Sequence, residues 1–171
     1  MALVKYIGKF QPKIGKGTWL AETAQVMGEV EIGKDCGIWY GAVIRGDVGL
    51  IKIGNRTNIQ DNAVLHGTWK KSLTTIGNNV TVGHRAIVHG CTVGNNVLIG
   101  MGAIVLDNAI VEDNSIVAAG AVVLENTVVK SGCIYAGIPA KEVKKISIAE
   151  MREMNKMSAS HYVLKKEEHR I

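Results

Sequence analysis

Aliphatic residues recur at nearly every sixth position along most of the chain, and this spacing is the main structural signal in the sequence. We call these positions anchors; they are Ile32, Ile38, Ile44, Ile53, Ile59, Leu65, Ile76, Val82, Val88, Val93, Ile99, Val105, Ile110, Ile116 and Val122. The fourth residue after an anchor is usually small, as at Cys36, Ala42, Thr57, Ala63, Ala86, Ala103, Ala109 and Gly120. Asparagine and glycine, which tolerate left-handed backbone angles, occupy the remaining turn positions. Each group of six residues is therefore predicted to form one short strand and one corner.

Repeats this short cannot bury their apolar side alone, but stacked repeats form a solenoid around one continuous core. Three groups of six make one triangular coil, so every third anchor shares a face. The first face holds residues 32, 53, 76, 93 and 110, the second 38, 59, 82, 99 and 116, and the third 44, 65, 88, 105 and 122. Two longer steps, at 45–52 and 66–75, fall at one edge of this prism. The predicted fold is an all-β solenoid of parallel strands.

The period changes after Pro139, where a helical pattern replaces it. Ser147 and Glu150 form a capping-box pattern, and apolar residues follow at roughly helical spacing. These apolar residues are Ile148, Met151, Met154 and Tyr162. We predict a single domain, 1–171, made of an irregular N-terminal cap at 1–25, a β-helix at 26–138 and a C-terminal α-helix at 147–170.

The composition argues against several kinds of partner and cellular location, as the charge and the cysteine pattern indicate. The net charge is +5, but most of the excess lies in the C-terminal tail, and no basic run is interleaved with aromatic residues. Nucleic acid is therefore not an expected partner. Three cysteines, at spacings that fit neither a disulfide framework nor a metal motif, favour a reducing compartment. The sequence shows no signal-peptide pattern and no membrane-spanning run, so we expect a cytoplasmic protein without a membrane partner.

Three histidines provide the candidate chemistry. His66 and His89 each follow a third-face anchor directly, so they occupy the same position in adjacent coils, where parallel strands lie about 4.8 Å apart. Two imidazoles at that separation can bind one metal ion. His84 lies around a corner on the second face, where its own chain cannot bring it to the same ion. A neighbouring chain related by a threefold axis can, so we predict a homotrimer with a three-histidine metal site at each interface.

The chain resembles a known family at several motifs. The segments "GAVIRGD", "IKIGNRTNIQD", "VLHG", "TVGHRAIVHGCTVG", "LIGMGAIVLD" and "AGIPAK" are similar to those of the gamma-class carbonic anhydrases and their bacterial relatives. The resemblance covers about residues 10–165. It implies a trimeric, left-handed parallel β-helix with a divalent metal, usually Zn²⁺ and in some members Fe²⁺ or Co²⁺, held by three histidines across the subunit interface.

The resemblance also assigns residues. His66, His84 and His89 match the metal ligands. Gln60, with Asn58 beside it, matches a side chain that orients metal-bound water or bicarbonate, and Asp61 matches an acid that lines the site or pairs across the interface. Tyr162 is similar to a tyrosine that relatives place near the metal, and Arg45 and Asp47 match an ion pair at the interface. His161 and His169 are expected to be solvated surface residues.

The function implied is that of a lyase: reversible hydration of CO₂ to bicarbonate by metal-bound hydroxide. The best-studied branch of the family has glutamates that export the proton, whereas residues 67–75 contain no carboxylate and Val48 stands where another glutamate would be. We therefore expect weak activity unless buffer or His and Tyr side chains accept the proton.

Three alternatives remain open. One is a thioesterase-type hydrolase that uses the same metal centre. Another is a hexapeptide-repeat acyltransferase with a lone histidine base, and the last is a non-catalytic trimer. Metal analysis separates the transferase from the metalloenzymes.

Overall fold

Very short strands recur through the chain and pair in parallel with the strands one coil before and one coil after. The computed structural model describes residues 2–170. The first eleven strands are β1 (Leu3–Lys5), β2 (Lys13–Ile14), β3 (Trp19–Leu20), β4 (Gln25–Ile32), β5 (Gly37–Ile38), β6 (Val43–Ile53), β7 (Asn58–Ile59), β8 (Val64–His66), β9 (Thr74–Ile76), β10 (Thr81–Val82) and β11 (Ile87–His89). The others are β12 (Thr92–Val93), β13 (Leu98–Ile99), β14 (Ile104–Val105), β15 (Ile110–Val111), β16 (Ile116–Val117), β17 (Val122–Val123), β18 (Val128–Val129), β19 (Cys133–Ala136) and β20 (Lys141–Lys145).

These strands form the three faces expected from the period of six. The first face stacks β2, β4, β6, β9, β12, β15 and β18; the second stacks β3, β5, β7, β10, β13, β16 and β19; the third stacks β1, β4, β6, β8, β11, β14 and β17. The long strands β4 and β6 bend from the third face to the first. The protein is thus a left-handed parallel β-helix, as expected.

The inward side of every coil is aliphatic, although the sequence assigns the last coils one residue too early. The predicted anchors there are Ile110, Ile116 and Val122, but the residues aligned with the anchors of the preceding coil are Val111, Val117 and Val123. All three are fully buried, whereas Ile110 is 46% exposed. Each of these strands offers two adjacent aliphatic side chains, and strict continuation of the six-residue step selects the second.

The corners are held by stacked asparagines. The Oδ1 atoms of Asn55, Asn78 and Asn95 accept hydrogen bonds from the backbone N–H groups of Lys34, Asn55 and Asn78 at 2.8–2.9 Å. Asp113 continues the series by accepting from Asn95 N at 2.7 Å. Other asparagines have positive φ, as the sequence predicts for turn positions; they are Asn62, Asn79, Asn96, Asn108, Asn114 and Asn126. The small inward corner of the last full coil is Ala121 rather than the predicted Gly120.

The N-terminal segment belongs to the solenoid. Strands β1 and β2 pair in parallel with β4, and β3 pairs with β5. The expectation of an irregular cap over 1–25 is therefore wrong for these strands. Positions 1 and 171 of the predicted domain lie outside the described residues.

The C-terminal helix, α1 (Ile148–Glu168), lies against the second face. Ser147 caps it by accepting a hydrogen bond from Glu150 N at 3.2 Å. Its buried residues are Met151, Asn155, Ala159 and Lys166, while the predicted apolar positions Ile148 and Met154 are exposed. Asn155 Nδ2 donates to Asn96 O at 2.8 Å and Ser115 O at 3.0 Å, and Lys166 Nζ donates to Gly17 O. The helix is thus held against the solenoid by polar contacts as well as by the burial of its side chains. Within residues 2–170, no helix combines the length and apolarity needed to cross a bilayer.

Candidate metal centre

Two imidazoles meet on the third face of the solenoid. Strands β8 and β11 pair so that His66 lies directly beside His89, as the anchor register predicts. His66 Nδ1 and His89 Nε2 are 3.2 Å apart. Two nitrogens that bind one tetrahedral zinc at ~2.1 Å lie ~3.4 Å apart. The pair therefore has the separation of two ligands of one ion.

The outer nitrogen of each ring is held by a carboxylate. His66 Nε2 lies 2.9 Å from Asp47 Oδ1, and His89 Nδ1 lies 3.0 Å from Asp107 Oδ1. An ionised carboxylate only accepts hydrogen bonds, so the proton of each neutral ring is on its outer nitrogen. The two inner nitrogens then face each other as lone pairs. Such an arrangement requires a proton or a cation between them, and histidine–carboxylate pairs of this kind usually orient metal ligands. The donor set therefore fits a divalent metal.

The carboxylates that hold these rings are ionised. Burial alone would raise the pKa of Asp47, but hydrogen bonds from His66 and Arg45 outweigh burial and hold that pKa below its ordinary value. Asp107 behaves in the same way, because hydrogen bonds from Ser72, Thr68 and His89 outweigh burial and lower its pKa. The predicted ion pair of Arg45 with Asp47 forms within one chain. Whether it lies at a subunit interface stays a prediction.

His84 lies apart from this pair, at the corner that follows β10. Its Nδ1 is 2.7 Å from Asp61 Oδ2, so Nε2 carries the lone pair. Within one chain, no three His, Cys, Asp or Glu side chains among residues 2–170 converge as metal ligands. The structure thus brings two of the three predicted ligands together and holds the third on another face.

A line of hydrogen bonds fixes Gln60 beside His84. Gln60 Oε1 accepts from His84 N at 3.1 Å, and Gln60 Nε2 donates to Asn58 Oδ1 at 3.1 Å. Asn58 Nδ2 donates to Thr81 Oγ1 at 3.0 Å, which contacts Ser158 on the helix. These partners determine which end of the Gln60 amide is oxygen. The second amide hydrogen of Gln60 is not used by Asn58, so it can be donated to Tyr162 or to a ligand. The sequence does not indicate that Thr81 and Ser158 support Gln60 and Asn58, because hydroxyl residues in strands and helices form no distinctive pattern.

Tyr162 joins this region from the terminal helix. It lines a cavity of about 300 Å³ with Asp61, His84 and His161, and a second of about 340 Å³ with Gln60 and His84. Burial and the charge of Asp61 raise the pKa of Tyr162, although a hydrogen bond with Gln60 acts in the opposite direction. The hydroxyl therefore keeps its proton at neutral pH and can donate it in a hydrogen bond.

The other two histidines are exposed, as expected, but they are not isolated. His161 and His169 line the 300 Å³ cavity together with Tyr40 and Lys165. His169 Nδ1 is 3.1 Å from Tyr40 Oη, and its ring packs against Trp39 with centroids 5.1 Å apart. Both imidazoles are thus within the region that faces His84.

The fold and these side chains define a hexapeptide-repeat β-helix protein in which each chain carries two converging imidazoles on one face and a third on another. The sequence model for the bacterial transferase hexapeptide repeat matches residues 11–46, 73–107 and 90–125. "Carbonic anhydrase" from Geobacillus kaustophilus is 46% identical over 89% of this chain and 82% of its own length. The chain belongs to the gamma-class carbonic anhydrase-like family of hexapeptide-repeat proteins.

Other relatives show the range of this family. "Gamma carbonic anhydrase 2, mitochondrial" from Arabidopsis thaliana is 44% identical over 89% of this chain, which spans only 56% of the plant protein. The crystal structure of a hexapeptide transferase family protein from Anaplasma phagocytophilum superposes with a TM-score of 0.89 at 41% identity, covering 95% of each chain. The chain is therefore similar both to proteins named as anhydrases and to a protein named for the hexapeptide transferase family.

Proposed function

We propose that the protein is a metal-dependent carbonic anhydrase that catalyses the reversible hydration of CO₂ to bicarbonate. The observation that carries this proposal is the His66–His89 pair, whose inner nitrogens converge while carboxylates hold the outer ones. Membership of a family with relatives named carbonic anhydrase supports it.

The site we propose is completed by a second copy of the chain. His66 and His89 come from one protomer and His84 from its neighbour in a homotrimer. A closed ring of heterologous contacts places two different faces of the chain against each other, as this division of ligands requires. The cation is Zn²⁺, with Fe²⁺ or Co²⁺ as substitutes that the same nitrogen donors accept. A divalent ion held by three neutral imidazoles supplies Lewis acidity, which lets water ionise near neutral pH.

The residues of this chain then bind bicarbonate and orient the groups around it. Gln60 offers one amide hydrogen without adding charge, so it can hold an oxygen of bicarbonate without repelling the anion. Asn58 keeps that amide in place, Asp61 holds the His84 ring, and Tyr162 donates a second hydrogen bond. We propose that His161 and His169, which line a cavity together with His84, accept the proton that the reaction releases, in place of the glutamates that the family resemblance leads one to expect.

The test is metal analysis of protein purified without chelator, followed by stopped-flow hydration of CO₂. We expect about one ion per chain, since each of three interfaces holds one site, and a hydration rate well above that of buffer. Metal-loaded trimer that hydrates CO₂ no faster than buffer would contradict the proposal.

Gln60 gives a further prediction. Gln60→Ala should lower kcat by about 10- to 100-fold, the range below that of a full oxyanion-hole donor, and leave bound metal unchanged. Steady-state kinetics and metal content measure the two effects. Thr92→Ala, an exposed strand residue on the first face, is the matched control and should change neither quantity. Loss of metal in Gln60→Ala would show that the residue acts on the ion's binding instead.

One observation favours a second candidate. The 340 Å³ cavity beside Gln60 and Tyr162 is lined by Leu98, Ile99 and Met101, and it is far larger than CO₂ requires. A thioester substrate with an apolar acyl group fits it, so we propose thioester hydrolysis at the same centre as the alternative. Hydrolysis of acyl thioesters by protein that is inert toward CO₂ would establish it. The acyltransferase alternative requires no metal, so one tightly bound ion per site argues against it.

We also propose a cytoplasmic location. All three cysteines are buried and unpaired, and burial raises the pKa of Cys91 to about 12. Thiols of this kind suit a reducing compartment.

A further inference from the structure

Asp107 is the most heavily hydrogen-bonded carboxylate near the centre. Its Oδ1 accepts from His89 Nδ1 at 3.0 Å and from Ser72 Oγ at 2.6 Å, and its Oδ2 accepts from Thr68 Oγ1 at 2.8 Å. The residue is only 6% exposed. A buried carboxylate with this many donors is held in a single orientation, and it holds its donors in turn.

Two of those donors belong to the excursion that interrupts the repeat. We call residues 67–73 the loop. Ser72 N donates to Thr68 O at 3.1 Å, and Thr68 N donates to Ser72 Oγ at 3.1 Å, so the two hydroxyl-bearing residues close the loop on themselves. Lys71 Nζ lies 3.6 Å from Asp107 Oδ2 and 2.9 Å from Glu125 Oε2. The loop is therefore tied to the solenoid through Asp107.

The backbone leaves room for this cluster at one position. Gly90 directly follows His89 and has a φ of +59°. A Cβ at Gly90 would collide with both Asp107 Oδ1 and Ser72 Oγ. A glycine there meets the backbone requirement and lets the carboxylate and the loop hydroxyl reach the same side of the His89 ring.

We propose that Asp107 is a positioning residue that fixes the His89 imidazole and couples the loop to the metal centre. It keeps the proton on Nδ1 and turns Nε2 toward His66. Without Asp107 the ring is free to rotate and exchange its two nitrogens, and the loop loses the acceptor of two hydroxyls. The coupling to metal rests on the proposed function, whereas the orientation of the ring does not.

The orientation is tested on metal-free protein. Spectra of protein with ¹⁵N-labelled histidine should show His89 as the Nδ1–H form with a slowly exchanging proton. Asp107→Ala should remove that signature, whereas the proton on His66 Nε2, which is held by Asp47, should stay in place. Asp107→Asn should restore it in part, because the amide oxygen still accepts from Nδ1. An unchanged His89 signal in Asp107→Ala would overturn the proposal.

The coupling is tested by Co²⁺ affinity, measured by competition with a chelator. Asp107→Ala should weaken binding by about 10- to 100-fold, the usual effect of removing a partner of a metal-bound histidine, and should alter the visible spectrum of bound Co²⁺. The double substitution Thr68→Val with Ser72→Ala should also weaken binding, but should add little in the Asp107→Ala background, because coupled residues are not additive. Glu125→Gln is the matched control; it removes the charge that pairs with Lys71 but keeps the hydrogen bonds of Asp107 with His89, Thr68 and Ser72, and it should leave affinity unchanged.

The outcomes separate the two proposals. Parent protein that takes up no Co²⁺ contradicts the proposed function, and the histidine spectra still decide the role of Asp107. Parent protein that binds Co²⁺ with the same affinity as Asp107→Ala refutes the coupling. Full additivity of the loop and Asp107 substitutions would show that the loop acts by another route.

Discussion

Replacing His89 with alanine is expected to remove the bound metal and, with it, CO₂ hydration. Removing an outer partner of a metal-bound histidine costs about 10- to 100-fold in metal affinity, and removing the ligand itself must cost more. The substitution also leaves His66 Nδ1 without the nitrogen that it faces at 3.2 Å. Metal content after gel filtration and stopped-flow hydration rates measure the effect.

The control for this substitution must remove a strand side chain without touching the site. Ile110→Ala meets that requirement, because Ile110 lies on the first face and is 46% exposed. It should keep the parent's metal content and rate. Both variants should keep the circular dichroism of the parent, since His89 projects outward from the aliphatic core. A His89→Ala protein that retained its full complement of metal would contradict the assignment of the ligand.

Much of the fold could be predicted because the repeat is strict. Once Leu65 and Val88 are assigned as anchors of the same face, the pairing of His66 with His89 follows without further information, and the structure confirms it. The register of the last coils depends on keeping the six-residue step from Val105 to Val111 rather than taking a five-residue step to Ile110. Strands such as Ile110–Val111 present two aliphatic residues, and hydrophobicity alone does not say which points inward.

The surroundings of the site were harder to predict because they depend on tertiary contacts. Asp107 lies two positions after its anchor and reaches back one coil to His89 through the space left by Gly90. Nothing in the six-residue period indicates that reach. Tyr162 depends on how the terminal helix docks, and the residues that dock it include the polar Asn155 and Lys166. A hydrophobic pattern does not reveal polar contacts of this kind.

The division of ligands between faces has a consequence for assembly. His66 and His89 share the third face with their carboxylates, and His84 is held by Asp61 around a corner. If one chain cannot complete the site, a defect in one ligand group can be compensated by a neighbour that carries the other. A site within one chain cannot show this behaviour.

Mixed trimers of two inactive variants should therefore recover activity. His84→Ala chains still supply His66 and His89, and His89→Ala chains still supply His84. Random assembly of equal amounts should restore about one quarter of the sites, because each site takes its two ligand groups from an ordered pair of neighbours. Co-expression with different affinity tags, followed by metal analysis and CO₂ hydration of the mixed trimers, measures the recovery.

The matched control is a mixture of His66→Ala and His89→Ala chains, which should recover nothing, because both substitutions affect the same ligand group. Equal recovery in the two mixtures, or none in the first while each parent trimer is intact, would rule out a site shared between subunits.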